Sequence, residues 1–146
     1  ELRTQIREAA WGQAQATDAS LLFLICADVK AWDKDPAQYW EDAPKETQET
    51  YVPMIRQFYD GREWQQRDEA MRSAGIAAQT LMLAATDMGY ESCPMIGFDA
   101  DKVGEIINLP DDHVICMMLA IGKGTKAPFP KPGYLPDEKV FITDTF

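Results

Sequence analysis

The chain has 146 residues, 46% hydrophobic, 26% charged and 10% aromatic, enough for one domain with a hydrophobic core, which excludes a disordered chain or a disulfide-stapled miniprotein. Its 14 basic and 24 acidic residues leave a net charge of -10, which argues against a nucleic-acid or anionic-membrane partner. The longest apolar runs, Leu21 to Ala27 and Val114 to Ile121, fall far short of the roughly 18 residues that span a bilayer.

The chain opens on Glu-Leu-Arg-Thr, without an initiator Met or an apolar leader, and reads as a piece of something longer. Leu2, Ile6, Ala9 and Ala10 then recur at helical spacing up to Trp11, where Gly12 and the polar Gln13-Ala14-Gln15 break the pattern. A short amphipathic helix and a turn are expected. From Ala19 the sequence is apolar without alternation and stops at Asp28, which predicts a central strand covered on both faces. Lys30 to Arg62 mixes Trp32, Tyr39, Trp40, Tyr51, Phe58 and Tyr59 with acidic residues and prolines. Its helical periodicity is weak and its aromatic area exceeds what a surface loop needs, so it is expected to cover something.

Glu63 to Met88 is the strongest helix, with Ala70, Met71, Ala74, Ala78, Leu81, Met82, Ala85 and Met88 at helical steps and Gly89 as its stop. Its small residues Ser73, Ala74, Gly75, Ala77 and Ala78 suit core packing within one subunit or a helix packed across a dimer interface. A short extended segment runs from Tyr90 to Gly97, and Asp99 is placed to cap a helix that ends before Pro110. Val114 to Ile121 predicts a second buried strand, residues 122 to 126 a loop, and Ala127 to Pro136 a proline-rich arm that cannot be helical. Val140-Phe141-Ile142 is a last, very short strand and a candidate for pairing with a partner chain. The order is that of one α+β domain over residues 1–146, without repeats.

Three cysteines without CxxC spacing fit a reducing, cytoplasmic setting, and the single histidine, His113, is expected in a solvated turn rather than a metal site. No pair of catalytic carboxylates, nucleophile with its base, or phosphate loop can be assembled by spacing. Composition and periodicity stop at an α+β domain. Four local strings in order go further: the stretch Trp11 to Ser20 followed by a strand, the stretch Arg67 to Gly89, the stretch Ser92-Cys-Pro-Met-Ile-Gly-Phe-Asp99, and a strand closing on Ile121-Gly122. Together these resemble the FMN-dependent nitroreductase family over nearly the whole chain apart from the excursion between Lys30 and Arg62.

The resemblance implies a nitroreductase-like fold, an antiparallel central sheet flanked by helices in an intertwined homodimer whose C-terminal arm reaches the partner. It implies FMN as cofactor, hydride arriving from NADH or NADPH and leaving through flavin N5 to a nitroaromatic, quinone or related acceptor, and no obligatory protein acid or base. The family's Pro-x-x-Gly segment, which brings backbone N–H groups to the flavin, corresponds to Pro94, Met95, Ile96 and Gly97; glycine lets the ring approach without a Cβ in the way. The polar side chain that meets the flavin's N1/O2 edge in similar proteins falls at Gln15, with Gln13 two residues away as the other choice. For the phosphate the resemblance offers Lys123 or Lys131, although the arginine often found two residues beyond the latter is Gly133 here. Trp40, Phe58 and Tyr59 are the expected acceptor slot, or interface packing.

Two departures stand beside the match: neither the family's N-terminal Arg-x-Ser phosphate motif nor its Asn-x-Gln-Pro-Trp-like segment is present in residues 1–146. They leave open a flavin-free dimeric binding or regulatory module that kept the fold.

Overall fold

In a computed structural model of the chain, which describes residues 1–145, the segment His113–Gly122 forms a strand that is apolar at nearly every position because both its edges and both its faces are covered. Call it β3. It pairs antiparallel with β1 (Leu21–Asp28) on one edge and β2 (Glu91–Met95) on the other, in the order β1-β3-β2. The expectation of a central strand at β1 is therefore corrected. β1 has a neighbour on only one edge among the described residues, so Leu21 and Phe23 stay exposed while Met118, Leu119 and Ala120 of β3 are buried. An irregularity after Ile25, which faces Met117 while Cys26 faces Ile115, leaves Cys116 as the extra residue of a bulge.

Alternation along β3 divides the core into two layers. Met118 and Ala120 point to one face with Met95, against Ile6, Ala9 and Ala10 of α1 (Leu2–Ala9) and its boundary and Val103 of α6 (Ala100–Ile107). Leu119 and Ile121 point to the other, against Ala85 of α5 (Glu63–Asp87). Asp99 caps α6 as expected, its carboxylate accepting from the Lys102 N–H at 3.0 Å, and α5 stops at Gly89, whose φ of +75° suits glycine.

Along α5 Ala70, Ala74, Ala78 and Ala85 are buried and pack within the chain, so of the small-residue run only Ala74 and Ala78 turn inward; Ser73 and Ala77 lie exposed with Ile76 and Leu83. The excursion is more regular than its sequence suggests. After α2 (Gln15–Asp18) and β1 come α3 (Ala31–Lys34), a 3-10 turn at Pro36–Trp40 and the 15-residue α4 (Lys45–Tyr59). Val52, Ile55 and Tyr59 are half-buried at helical spacing along α4, a stripe that Pro53 inside the helix and the lack of any fully buried residue make easy to pass over. The tail is extended through the proline-rich arm, but Val140, Phe141 and Ile142 follow a 3-10 turn at Asp137–Lys139 and form no strand among the described residues. Among the described residues no helix is long and apolar enough to cross a membrane.

Candidate functional site

The turn between α1 and β1 is held by two arginines one helical turn apart. Arg3 donates from Nε to the carbonyl of Ala16 at 2.7 Å and from Nη2 to that of Ala19 at 2.5 Å. Arg7 donates to the Gly12 carbonyl at 3.1 Å and the Thr17 hydroxyl at 2.9 Å. The guanidinium groups thus tie α1 to the glycine turn and to the single helical turn of α2 that follows it. Sequence reasoning missed both residues; their spacing of four on a helix just before a glycine turn was the available signal.

What the clamp presents is Gln13 and Gln15. The Gln13 carboxamide donates to the Gly97 carbonyl at 2.6 Å, and Gln15 donates to the Gln13 side-chain oxygen at 3.1 Å. The glutamine turn and the Pro94–Gly97 segment, 84 positions apart in sequence, therefore meet. A second tie joins the same regions, the Asp99 N–H donating to the Ala9 carbonyl at 2.9 Å.

The backbone of β2 determines which N–H groups are free. Proline has no donor, so Pro94 occupies an edge position whose bond would point away from β3, and Ile96 follows the last residue of β2. Neither Ile96 nor Gly97 donates its N–H to a protein acceptor among the described residues. Met95 is buried and anchors the segment, whereas the Ile96 side chain is 79% exposed. A Cβ on Gly97 would sit 3.3 Å from the Trp11 ring, so this turn is closely approached on that side.

The aromatic excursion builds a separate cavity of about 460 Å³, walled by Trp32, Tyr39, Trp40, Ile55 and Tyr59 over Ala70 of α5. Trp40 stacks on Tyr51 with ring centres 4.9 Å apart. Phe58 is not part of the wall: it meets Tyr59 edge-on at 5.0 Å and carries the Arg62 guanidinium over its ring. The cavity and the glutamine cluster share no lining residue. Lys123 and Lys131 are exposed and join no hydrogen bond or ion pair among the described residues; the Lys131 ammonium lies 3.6 Å from the centre of the Tyr134 ring.

At the far end of β1 and β3, His113 is the first residue of a strand, not a residue of a solvated turn. Its Nδ1 lies 2.7 Å from Asp112, and the Lys34 ammonium sits between Asp112 at 2.6 Å and Asp28 at 2.5 Å. Ligand atoms of Asp28, Asp112 and His113 gather within 4.8 Å, and Lys34 supplies the positive charge that this grouping needs. Hydrogen bonds from Lys34 and then His113 hold the Asp112 carboxyl below its usual range, and Asp112 and then Asp28 hold the Lys34 ammonium above its own.

A carboxyl with a lowered folded pKa stabilises above its unfolded value and loses that contribution as pH falls through the folded one; the lysine's contribution is full at neutral pH and lost above about pH 10. The melting temperature is therefore expected to fall below about pH 4, and Asp112→Asn to flatten that acid limb in thermal scans. An unchanged acid limb in the variant would show that the cluster contributes nothing. Burial pushes the Cys26 and Cys116 thiols up, so neither is primed as a nucleophile; all three cysteines are free.

The sequence model of the nitroreductase family matches residues 1–123. Protein DrgA of Synechocystis is 59% identical over 126 residues, which cover 86% of this chain and 60% of its own length. MhqN of Bacillus subtilis, provisionally named an NAD(P)H nitroreductase, is 34% identical over 130 residues, 84% of this chain and 63% of its own. The chain thus spans somewhat under two thirds of these relatives. A provisionally named nitroreductase of Exiguobacterium sibiricum, whose crystal structure is a complex with FMN, superposes with a TM-score of 0.85 at 26% identity, covering 96% of this chain and 70% of its own.

Proposed function

The chain belongs to the nitroreductase family, and from that premise we propose that it is the FMN-binding part of an NAD(P)H-dependent oxidoreductase, residues 1–146 forming a single domain. The observation that carries the proposal is the union of the Gln13–Gln15 turn with the Ile96–Gly97 backbone, joined by the 2.6 Å bond from Gln13 to Gly97. That union sets polar side chains and two free N–H donors side by side.

The residues present fit a flavin. The N–H groups of Ile96 and Gly97 point to no protein acceptor and suit ring acceptor atoms, with Pro94 and Met95 fixing the strand that presents them. Gln15 offers a carboxamide to an electron-rich ring edge, and Lys123 or Lys131 offers an ammonium to the phosphate. FMN, when bound, passes hydride from NADH or NADPH to the acceptor. The protein's part is to bind, to orient and to hold donors where negative charge collects; no side chain of the cluster is required to move a proton.

The NAD(P)H assignment draws support from the name of the MhqN relative, and the cofactor from the FMN complex of the Exiguobacterium protein. Purified protein is expected to be yellow or to take up added FMN, to be bleached by NADPH or NADH without oxygen, and to sediment as a homodimer. A colourless protein that takes up no FMN overturns the proposal and favours the flavin-free module instead.

The acceptor, a nitroaromatic or a quinone, is proposed to lie against Trp40 and Tyr59, whose flat rings wall the cavity. The cavity shares no lining with the glutamine cluster within one chain, and the two are proposed to meet across a subunit contact, so the slot and the homodimer are tested together. The arm ending in Val140-Phe141-Ile142 and the exposed Ile76 and Leu83 of α5 are the apolar surfaces proposed for that contact. Trp40→Ala and Tyr59→Ala are expected to change the ratio of kcat/KM for a nitroaromatic over a quinone by about threefold or more, while Phe58→Ala, outside the wall, leaves the ratio alone. Equal losses for both acceptors with a lowered melting temperature would reduce these aromatics to packing.

A further inference from the structure

Two glutamines stand in the turn after α1, and their hydrogen bonds are not equivalent. Gln13 uses its nitrogen on the Gly97 carbonyl and its oxygen on Gln15, so both ends of its carboxamide are occupied by protein. Gln15 spends one N–H on Gln13, and its side-chain oxygen and second N–H have no protein partner among the described residues. A side chain that joins its own turn to a carbonyl 84 positions away is a brace, and the one hanging from it is the free hand.

We infer that Gln13 is a positioning residue: it fixes the Ile96–Gly97 turn by its carbonyl, so that the two free N–H groups keep their direction, and it orients Gln15 as the carboxamide that meets the ligand. This rests on the reading of the cluster as a flavin site. The need for a brace follows from the backbone. β2 ends at Met95, so the turn beyond it lies outside the ladder. The Phe98 N–H donates only locally, to the Ile96 carbonyl at 3.1 Å, and the next tie to another element is Asp99 to Ala9. Gln13 closes that gap from the side. It is itself held by the loop that Arg3 and Arg7 clamp, so the direction of the Ile96 and Gly97 donors is set from α1.

The test separates the brace from the flavin. Gln13→Glu keeps the size and the acceptor but cannot donate to a carbonyl; Gln15→Leu removes the free hand and leaves the brace. Hydrogen exchange is measured first on the flavin-free protein, across the peptide that contains Ile96 to Asp99. Gln13→Glu is expected to speed exchange there about fivefold, the loss of one hydrogen bond, and Gln15→Leu to leave it at the wild-type rate. FMN is then added and its dissociation constant read from flavin fluorescence. Gln15→Leu and Gln13→Glu are each expected to weaken FMN, and the double variant to lose less than the product of the two, because they act through one contact.

If Gln13→Glu weakens FMN without changing exchange, Gln13 touches the ligand directly and the positioning role is overturned. Wild-type exchange in both variants with unchanged FMN affinity overturns it equally. If exchange responds as stated but no variant, wild type included, takes up FMN, the brace is supported and the cofactor reading falls. Should Gln13→Glu fail to fold, Gln13→Asn, too short to span to Gly97, gives the same exchange readout.

Discussion

Leu119→Ala is expected to lower the unfolding free energy by about 3 kcal/mol, the scale set by large-to-small changes at fully buried sites. Leu119 is wholly inaccessible, lies on the one strand with two neighbours among the described residues, and packs on Ala85 with Leu81 and Met82 close by. The alanines that line α5 bring that helix close to the sheet and leave little side chain on its side to move into a hole. Leu21→Ala is the control: the same change on edge strand β1, where the side chain is 53% exposed, is expected to cost less than about 1 kcal/mol. Urea unfolding of the two variants checks the contrast. Similar costs would mean that the helix α5 layer does not carry the stability assigned to it.

Arg3→Met is expected to be the most damaging single change to the candidate site that touches none of its presenting groups. It removes two charge-assisted bonds to the carbonyls of Ala16 and Ala19, where Ala16 is fully buried and gains no water in exchange. A loss of about 2 kcal/mol follows from the strength of hydrogen bonds to charged groups, together with a weakening of FMN affinity by about tenfold or more as the Gln13–Gln15 turn loosens. Arg3→Lys should recover little, since one ammonium does not reproduce the guanidinium fork across two carbonyls. Arg7→Met is expected to cost less, because the Arg7 side chain is 39% exposed and its bonds reach the solvated end of the loop. Urea unfolding and flavin titration of the three variants give the order; an Arg3→Met protein that binds FMN as the wild type does would remove the clamp from the account of the site.

The secondary structure was legible where local chemistry is strong. The long helix α5, its glycine stop, the Asp99 cap and the buried run of β3 follow from periodicity, φ preference and unbroken hydrophobicity, which need no distant partner. The family, too, was readable from four short strings in order, because such strings record backbone demands at fixed places. α4 was not read as a helix: Pro53 interrupts it, and its stripe of Val52, Ile55 and Tyr59 is only half-buried and lies among other aromatic and acidic residues. Nor was the standing of β1, since an apolar run looks the same on an edge as in the middle, and only the β1-β3-β2 order assigns it.

For the site, the sequence by itself determined which residue types are available: two glutamines after a helix, a Pro-x-x-Gly segment and an aromatic excursion. Only the tertiary structure decided how they divide the work. The N–H groups of Ile96 and Gly97 are left without a protein acceptor among the described residues, the 2.6 Å bond ties Gln13 to Gly97 across 84 positions, and the wall of the cavity takes Trp40 and Tyr59 but leaves Phe58 out. The physical reason is that side-chain type is a local property, whereas the direction of a donor and the free capacity of a carboxamide depend on what the rest of the chain has placed against it.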